Sequence, residues 1–434
     1  MMRRSVMLVI VAMTLFMALP VSADLQNVVV GGQVRIRGDW YSVEGDHPGI
    51  NSEAIVEQRT RLNVRADFTD NVKAFVEMDS YDIWGEDFRS NYLTGIDSRA
   101  VTNNDIELYQ GYIEASELFG KPLRLRIGRQ ELKFGSAWLV GTGEAAPYFT
   151  GLSFDAVRLT YATDTLSVDA FWSKLAELSP LEEDGDTDFY GVYATCTAIE
   201  NVSFDAYWLY VRDALLGVNE LHTVGLRSAG KFGGFHFEAE AAYQFGDYDK
   251  TPLPGVDDVS NWACNVLAGY FFDTTWKPHP FIGFEYFGGA DDDTLAFNRL
   301  FSDARLGKTI DSGHWLVGAG GPFFPNANCS NLWLIHGGVT FNPTEKLMGL
   351  LHACLAFENE DDWVGGGHGG TLGLEVEASA VYNYTKDLSF EVGYAHLFVD
   401  DNLKDGARLP LNGTAVVVVP DDVDYFYFET KLCF

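Results

Sequence analysis

Arg59-Thr60-Arg61-Leu62-Asn63-Val64-Arg65-Ala66-Asp67-Phe68 decides the fold. Leu62, Val64, Ala66 and Phe68 occupy one phase, and Arg61, Asn63, Arg65 and Asp67 occupy the other. A period of two gives a strand one apolar and one polar face. Arg59, Arg61 and Arg65 share a phase and must face water, because a guanidinium against mid-membrane hydrocarbon costs about 2–4 kcal/mol.

Working outward, Val34, Ile36, Gly38 and Trp40 alternate with Gln33, Arg35, Arg37 and Asp39. Leu123, Leu125 and Ile127 do so with Arg124 and Arg126, and Leu374, Val376 and Ala378 with Glu375, Glu377 and Ser379. Turn-forming clusters divide the chain into eighteen such strands, whose connections alternate in length. Short ones fall at Thr69-Asp70-Asn71, Gly233-Gly234 and Thr385-Lys386-Asp387, and long ones at 134–151, 289–330 and 399–422. Short turns on one side and long loops on the other are the layout of an outer-membrane barrel, with roughly 23 residues per strand and connection. That allows a tilted span of about 10 residues and a loop. Phe426, Phe428, Thr430, Leu432 and Phe434 share a phase of the last strand, which must pair with the first to leave no open edge. The expected fold is all-β: a single transmembrane antiparallel β-barrel of about eighteen strands spanning residues 24–434.

Composition narrows the alternatives. The 434 residues are 47% hydrophobic and 14% aromatic, too rich for disorder. A mean hydropathy of −0.04, without an eighteen-residue apolar run beyond the first two dozen residues, excludes a helical membrane protein. Five cysteines without a Cys-x-x-Cys pair exclude a disulfide scaffold or zinc ribbon. A net charge of −32 repels phosphate, so nucleic acid is not an expected partner. Arg3 and Arg4, the apolar stretch Val6 to Leu19 and Pro20-Val21-Ser22-Ala23 form an export signal, with cleavage expected after Ala23.

Gly128-Arg129-Gln130-Glu131-Leu132-Lys133-Phe134-Gly135, followed by Phe154-Asp155-Ala156-Val157-Arg158-Leu159, resembles the alginate-export family of outer-membrane proteins. Thr223 to Arg227, Glu240 to Gly246, Phe297-Asn298-Arg299-Leu300-Phe301 and Gly373 to Glu377 continue the resemblance in order. It implies an eighteen-stranded monomeric barrel in the bacterial outer membrane, whose lumen passes an anionic polysaccharide along arginines. The characterised exporters carry a long, plugging periplasmic turn before the penultimate strand; here that turn is Thr385-Lys386-Asp387.

The expected solute path is a basic patch of Arg35, Arg37, Arg59, Arg61, Arg65, Arg124, Arg126, Arg158 and Arg227, because guanidinium grips carboxylates bidentately. The other reading of these arginines pairs them with lumen acids such as Asp39, Glu57, Asp67 and Glu77. Past Arg227 the polar phase turns acidic, with Glu238, Glu240, Glu285, Glu375, Glu377 and Glu391. A basic and an acidic wall would set a field across the pore, which suits a general or substrate-selective diffusion porin as well as an exporter. The 134–151 and 289–330 loops are candidates to fold inward or to cap the outside. Phe434 resembles the signal that barrels present to their assembly machinery. Outer-membrane lipid and lipopolysaccharide are the expected surroundings. Asp291-Asp292-Asp293, Glu360-Asp361-Asp362 and His368 read as solvated loops, so neither metal nor cofactor is expected. Hydrolase motifs are lacking; an enzyme would need a dispersed His, Ser and acid set.

Overall fold

The structure is a computed structural model that describes residues 25–43, 53–69, 71–85, 106–142, 151–177, 185–214, 218–249, 258–290, 294–303, 330–359, 370–401, 409–411, 415–417 and 422–434. The export signal, both acidic runs, His368 and Cys329 lie outside these residues.

The strands are β1 (Asn27–Val43), β2 (Glu53–Thr69), β3 (Val72–Ile83), β4 (Glu107–Ala115), β5 (Leu123–Gln130), β6 (Phe154–Ala162), β7 (Leu166–Ala176), β8 (Thr187–Ile199) and β9 (Val202–Asp213). They continue with β10 (Asn219–Phe232), β11 (Phe235–Asp247), β12 (Asp258–Tyr270), β13 (His279–Phe287), β14 (Leu332–Phe341), β15 (Leu347–Glu358), β16 (Gly370–Asn383) and β17 (Leu388–Val399). A small hairpin of β18 (Leu409–Leu411) and β19 (Ala415–Val417) precedes β20 (Val423–Cys433). Consecutive strands pair antiparallel, β17 pairs with β20, and β20 pairs with β1. The result is a closed eighteen-stranded barrel, as the alternation and the connections implied. Its strands run from 8 residues in β5 to 17 in β1 and β2, so several project well past a 10-residue span. Among the described residues no helix is long and apolar enough to cross a membrane.

The two phases separate onto the two faces. Outward residues such as Leu62, Val64, Leu226 and Ile282 are exposed, Leu226 to 67%. A continuous apolar exterior of this kind belongs in lipid. Trp40, Trp172, Trp208, Trp262 and Trp333 stand outward near the long-loop ends of their strands; Phe232, Phe235, Tyr270 and Tyr382 do so near the short turns. These are the two aromatic girdles expected at the membrane interfaces.

The polar phase faces inward and is closely packed at the seam where the first and last strands meet. Register places Arg35 opposite Lys431 and Arg37 opposite Glu429. Arg35 donates bidentately to Glu429 at 3.0 and 2.8 Å. Arg37, 1% exposed, donates to Asp39 at 3.1 Å and Glu57 at 2.8 Å, while Tyr425 donates to Asp39 at 2.5 Å. At the short-turn end the backbones of Gly32 and Phe434 exchange hydrogen bonds of 2.9 and 3.0 Å. A Cβ on Gly32 would lie 2.5 Å from the Phe434 ring, so the last residue packs where a side chain is missing.

Breaking a buried ion pair from one side strands the remaining charge. Arg37→Gln leaves Asp39, Glu57 and Glu429 crowded in the seam and should cost about 3–5 kcal/mol in urea unfolding of the detergent-folded barrel. Arg65→Gln removes a half-exposed pair with Asp67 at 3.5 Å and should cost less than about 1 kcal/mol. Equal losses from both variants would contradict this assignment of the seam.

Candidate solute path through the barrel

The predicted arginines all lie on the inward phase, and most are already engaged by protein carboxylates. Arg61 donates to Asp79 at 2.8 Å, Arg126 to Glu114 at 2.6 Å and Arg158 to Asp169 at 2.8 Å. Arg227 donates to Asp205 at 2.6 Å and to Glu238 at 2.9 Å, and Arg59 donates to Gln33. A contiguous patch of Arg35, Arg37, Arg59, Arg61, Arg65, Arg124 and Arg126, as pairing of the first strands would suggest, is interrupted. Arg35, Arg37, Arg59, Arg61 and Arg65 sit together on β1 and β2, whereas Arg124, Arg126 and Arg158 sit on β5 and β6. Between them β3 and β4 present Glu77, Asp79 and Glu114 inward. Acids interleave with the arginines because buried guanidinium is tolerated only with partners. The pairing reading of these arginines therefore describes most of the wall.

The acidic phase is engaged too. Glu238 and Glu240 lie around Arg227, and Tyr207 donates to Glu240 at 2.8 Å. Tyr427 donates to Glu391 at 2.5 Å, and Glu377 lies 3.7 Å from His352. Glu285 and Glu375 are fully enclosed.

The described parts of both candidate loops, 134–142 and 294–303, fold inward. Residues 131–142 and 294–303 meet inside the lumen: Phe301 donates its backbone N–H to Leu139 at 2.9 Å, Gly141 to Phe301 at 2.9 Å and Asp303 to Ala137 at 2.9 Å. Leu132, Trp138, Leu139 and Phe297 form one apolar cluster with inward residues such as Phe171 of β7 and Leu372 of β16. β7 and β16 are nine strands apart either way round, so this cluster bridges opposite walls. An external cap could not make these contacts.

Specific residues hold the loops there. Gln244 on β11 accepts from the Asn298 backbone N–H at 2.7 Å and donates to the Asn298 carbonyl at 2.7 Å. Asn261 on β12 donates to Gly289 at 2.6 Å. Gly135 has φ +55°, and a Cβ there would sit 2.8 Å from the Tyr193 hydroxyl and 3.1 Å from the Arg227 side chain on the far wall. Burial pushes the Tyr248 phenol, which bonds Asn298 just past the end of β11, up to about 12. The motifs around Gly128, Gln244 and Phe297 thus converge on one loop assembly.

Beside this assembly, along the β1–β5 wall, lies a polar cavity of about 470 Å³ lined by Arg61, Asn63, Glu77, Gln110, Glu131 and Lys133. Asn63 donates to Glu77 at 3.0 Å, and Tyr109 donates to Glu131 at 2.8 Å beneath the Arg61 guanidinium, 3.7 Å above its ring. Lys133 is exposed and has no partner among the described residues. A larger groove of about 560 Å³ lies among outward residues such as Ala194, Leu226 and Ala241, on the apolar exterior and away from this path. Alternation missed Lys133 and the fully buried Arg299, whose guanidinium lies 4.1 Å over the Phe287 ring, because both sit in loops. Their only trace in the sequence is membership of the family-like motifs.

Among the described residues no group of three or more His, Cys, Asp or Glu side chains is placed to hold a metal ion. Cys196, Cys264, Cys354 and Cys433 are free thiols.

Comparison with solved structures finds the same architecture. Acinetobacter baumannii OccAB1 superposes with a TM-score of 0.60 at 12% identity, covering 95% of this chain and 99% of that one. Pseudomonas aeruginosa OccK8 (OprE) gives 0.57 at 12% identity, covering 95% and 99%. Pseudomonas aeruginosa OpdK, solved with vanillate, gives 0.55 at 11% identity, covering 93% and 98%. No curated protein matches the chain. The family model described as alginate export matches residues 27–346, nearly three quarters of the sequence. The chain belongs to the alginate-export family, and its closed barrel is an outer-membrane channel for polar or anionic solutes.

Proposed function

We propose that this channel is selective for small polar and anionic solutes, which pass between the inward loops and the β1–β5 wall. The observation that carries this reading is the backbone ladder from 137–141 to 301–303, which crosses the lumen beside a cavity of about 470 Å³. That volume lies in the range of sites that hold one small-molecule ligand. Lys133 offers a solute carboxylate an uncommitted cation, while Glu77, Asn63 and Gln110 offer hydroxyl partners. A carboxylate of the vanillate class is the natural first probe, given the fold shared with OpdK.

Export of an anionic polysaccharide is the second reading, favoured by family membership. A polymer would require the two loops to leave the lumen. The turn at residues 384–387 between β16 and β17 is short, and the described segments that enter the lumen come from the long loops. Either reading sets the chain in the bacterial outer membrane as a monomer among lipopolysaccharide, with Phe434 read by the assembly machinery and no catalytic step assigned.

Two outcomes test the path. Lys133→Glu should leave assembly intact and move the reversal potential in a planar bilayer towards cations, while weakening block by vanillate; an unchanged potential would remove Lys133 from the path. Gln244→Ala deletes both hydrogen bonds to Asn298, weakening the loop by about 1–3 kcal/mol. The open-loop population should then rise roughly tenfold, seen as larger and noisier single-channel currents. Wild-type currents in that variant would show that the loops do not limit flow.

A further inference from the structure

We infer that His336 and His352 form an exchangeable site for a divalent transition-metal cation in the lumen. Both lie on the inward phase of neighbouring strands, where Gly338 of β14 is the register partner of His352 and Cys354 of β15 that of His336. His336 Nδ1 and His352 Nε2 are 3.2 Å apart. Two metal–imidazole bonds of about 2.0–2.1 Å meeting near the tetrahedral angle span about 3.3 Å, so the pair has the bite of a single ion.

The surroundings prepare both rings. Glu377 Oε2 lies 3.7 Å from His352 Nδ1, on the side away from His336. A carboxylate there favours the proton on Nδ1 and leaves the Nε2 lone pair facing the partner ring, as behind metal-bound histidines generally. His336 fits because Gly283 is its cross-strand neighbour: a Cβ at Gly283 would come within 2.1 Å of His336 Nε2. Phe281 packs against both rings, with centroids 6.2 and 5.9 Å away. Glu285, Glu375 and Glu377 face inward from β13 and β16 and raise the local cation concentration.

A second imidazole pair nearer the short turns differs. His236 Nε2 and His279 Nε2 are 2.6 Å apart, too close to share a metal ion. Lys231 lies over Phe271, which stacks on His279, and this cation opposes another. The proposal therefore falls on His336 and His352. With two protein ligands, the remaining coordination positions go to water or to a passing solute carboxylate.

Zn²⁺ binding to the full detergent-folded barrel, followed by calorimetry at pH 7.5, tests this in a His236→Ala, His279→Ala background. One Zn²⁺ per chain should bind and block current in a planar bilayer. Binding should weaken more than about tenfold in His352→Gln and in His336→Gln, and about tenfold in Glu377→Gln. Without Zn²⁺ the Gln variants should conduct like their background, so that lost block reports lost Zn²⁺ binding and not an altered pore. Absence of binding in the background, or equal binding after His352→Gln, would overturn the proposal. His352→Gln alone decides the matter if His336→Gln fails to assemble.

Discussion

In hydrocarbon an unpaired backbone amide has no alternative partner, so the whole molecule depends on β1 finding β20. Their register joins residues some 400 positions apart, from Gln33–Cys433 to Val43–Val423. Once that seam forms, every strand has two neighbours and the polar phase encloses a lumen. Closure also explains the charge chemistry at the seam. Arg35 and Arg37 meet Glu429, Asp39 and Glu57 where water is scarce, and each charge is tolerable only because the opposite strand supplies its partner.

From that constraint follows a division of labour among the lumen cations. Arg35, Arg61, Arg158 and Arg227 are committed to carboxylates and stiffen the wall. The proposed source of charge for a solute is instead Lys133, exposed and without a partner among the described residues. The loop that carries Lys133 is itself held in place by its ladder to residues 301–303. Constriction and charge therefore come from one assembly, anchored to the wall by Gln244 and Asn261. An eighteen-stranded bore narrowed this way needs no periplasmic plug.

Much of the fold was legible because period-two alternation is local. Leu62, Val64 and Ala66 announce their face without reference to any other strand, and loop length alone sorted the two ends. The same locality hid the site. Arg37 and Arg65 look alike in the sequence, yet one is enclosed by three acids from β1, β2 and β20 while the other is half exposed beside Asp67. Only strand register separates them, and register is a property of pairs. Whether residues 131–142 fold inward or outward likewise depends on the fit of Trp138 against Phe287 and Phe297, with ring centroids 5.7 and 6.5 Å away. Such distant packing leaves no periodic trace. The arginines of the expected basic patch lie on the inward phase, and Glu77, Asp79 and Glu114 stand between those of β1 and β2 and those of β5 and β6.

The central claim is that two wall-anchored loops narrow a closed barrel to a passage for small solutes. Liposome swelling with a graded series of sugars and uronates measures this directly. The account predicts entry of mono- and disaccharide-sized solutes, a sharp fall for longer oligomers, and relief of that limit when residues 134–141 are replaced by a short glycine linker. Equal rates for oligomers and monomers in the unaltered protein would contradict it.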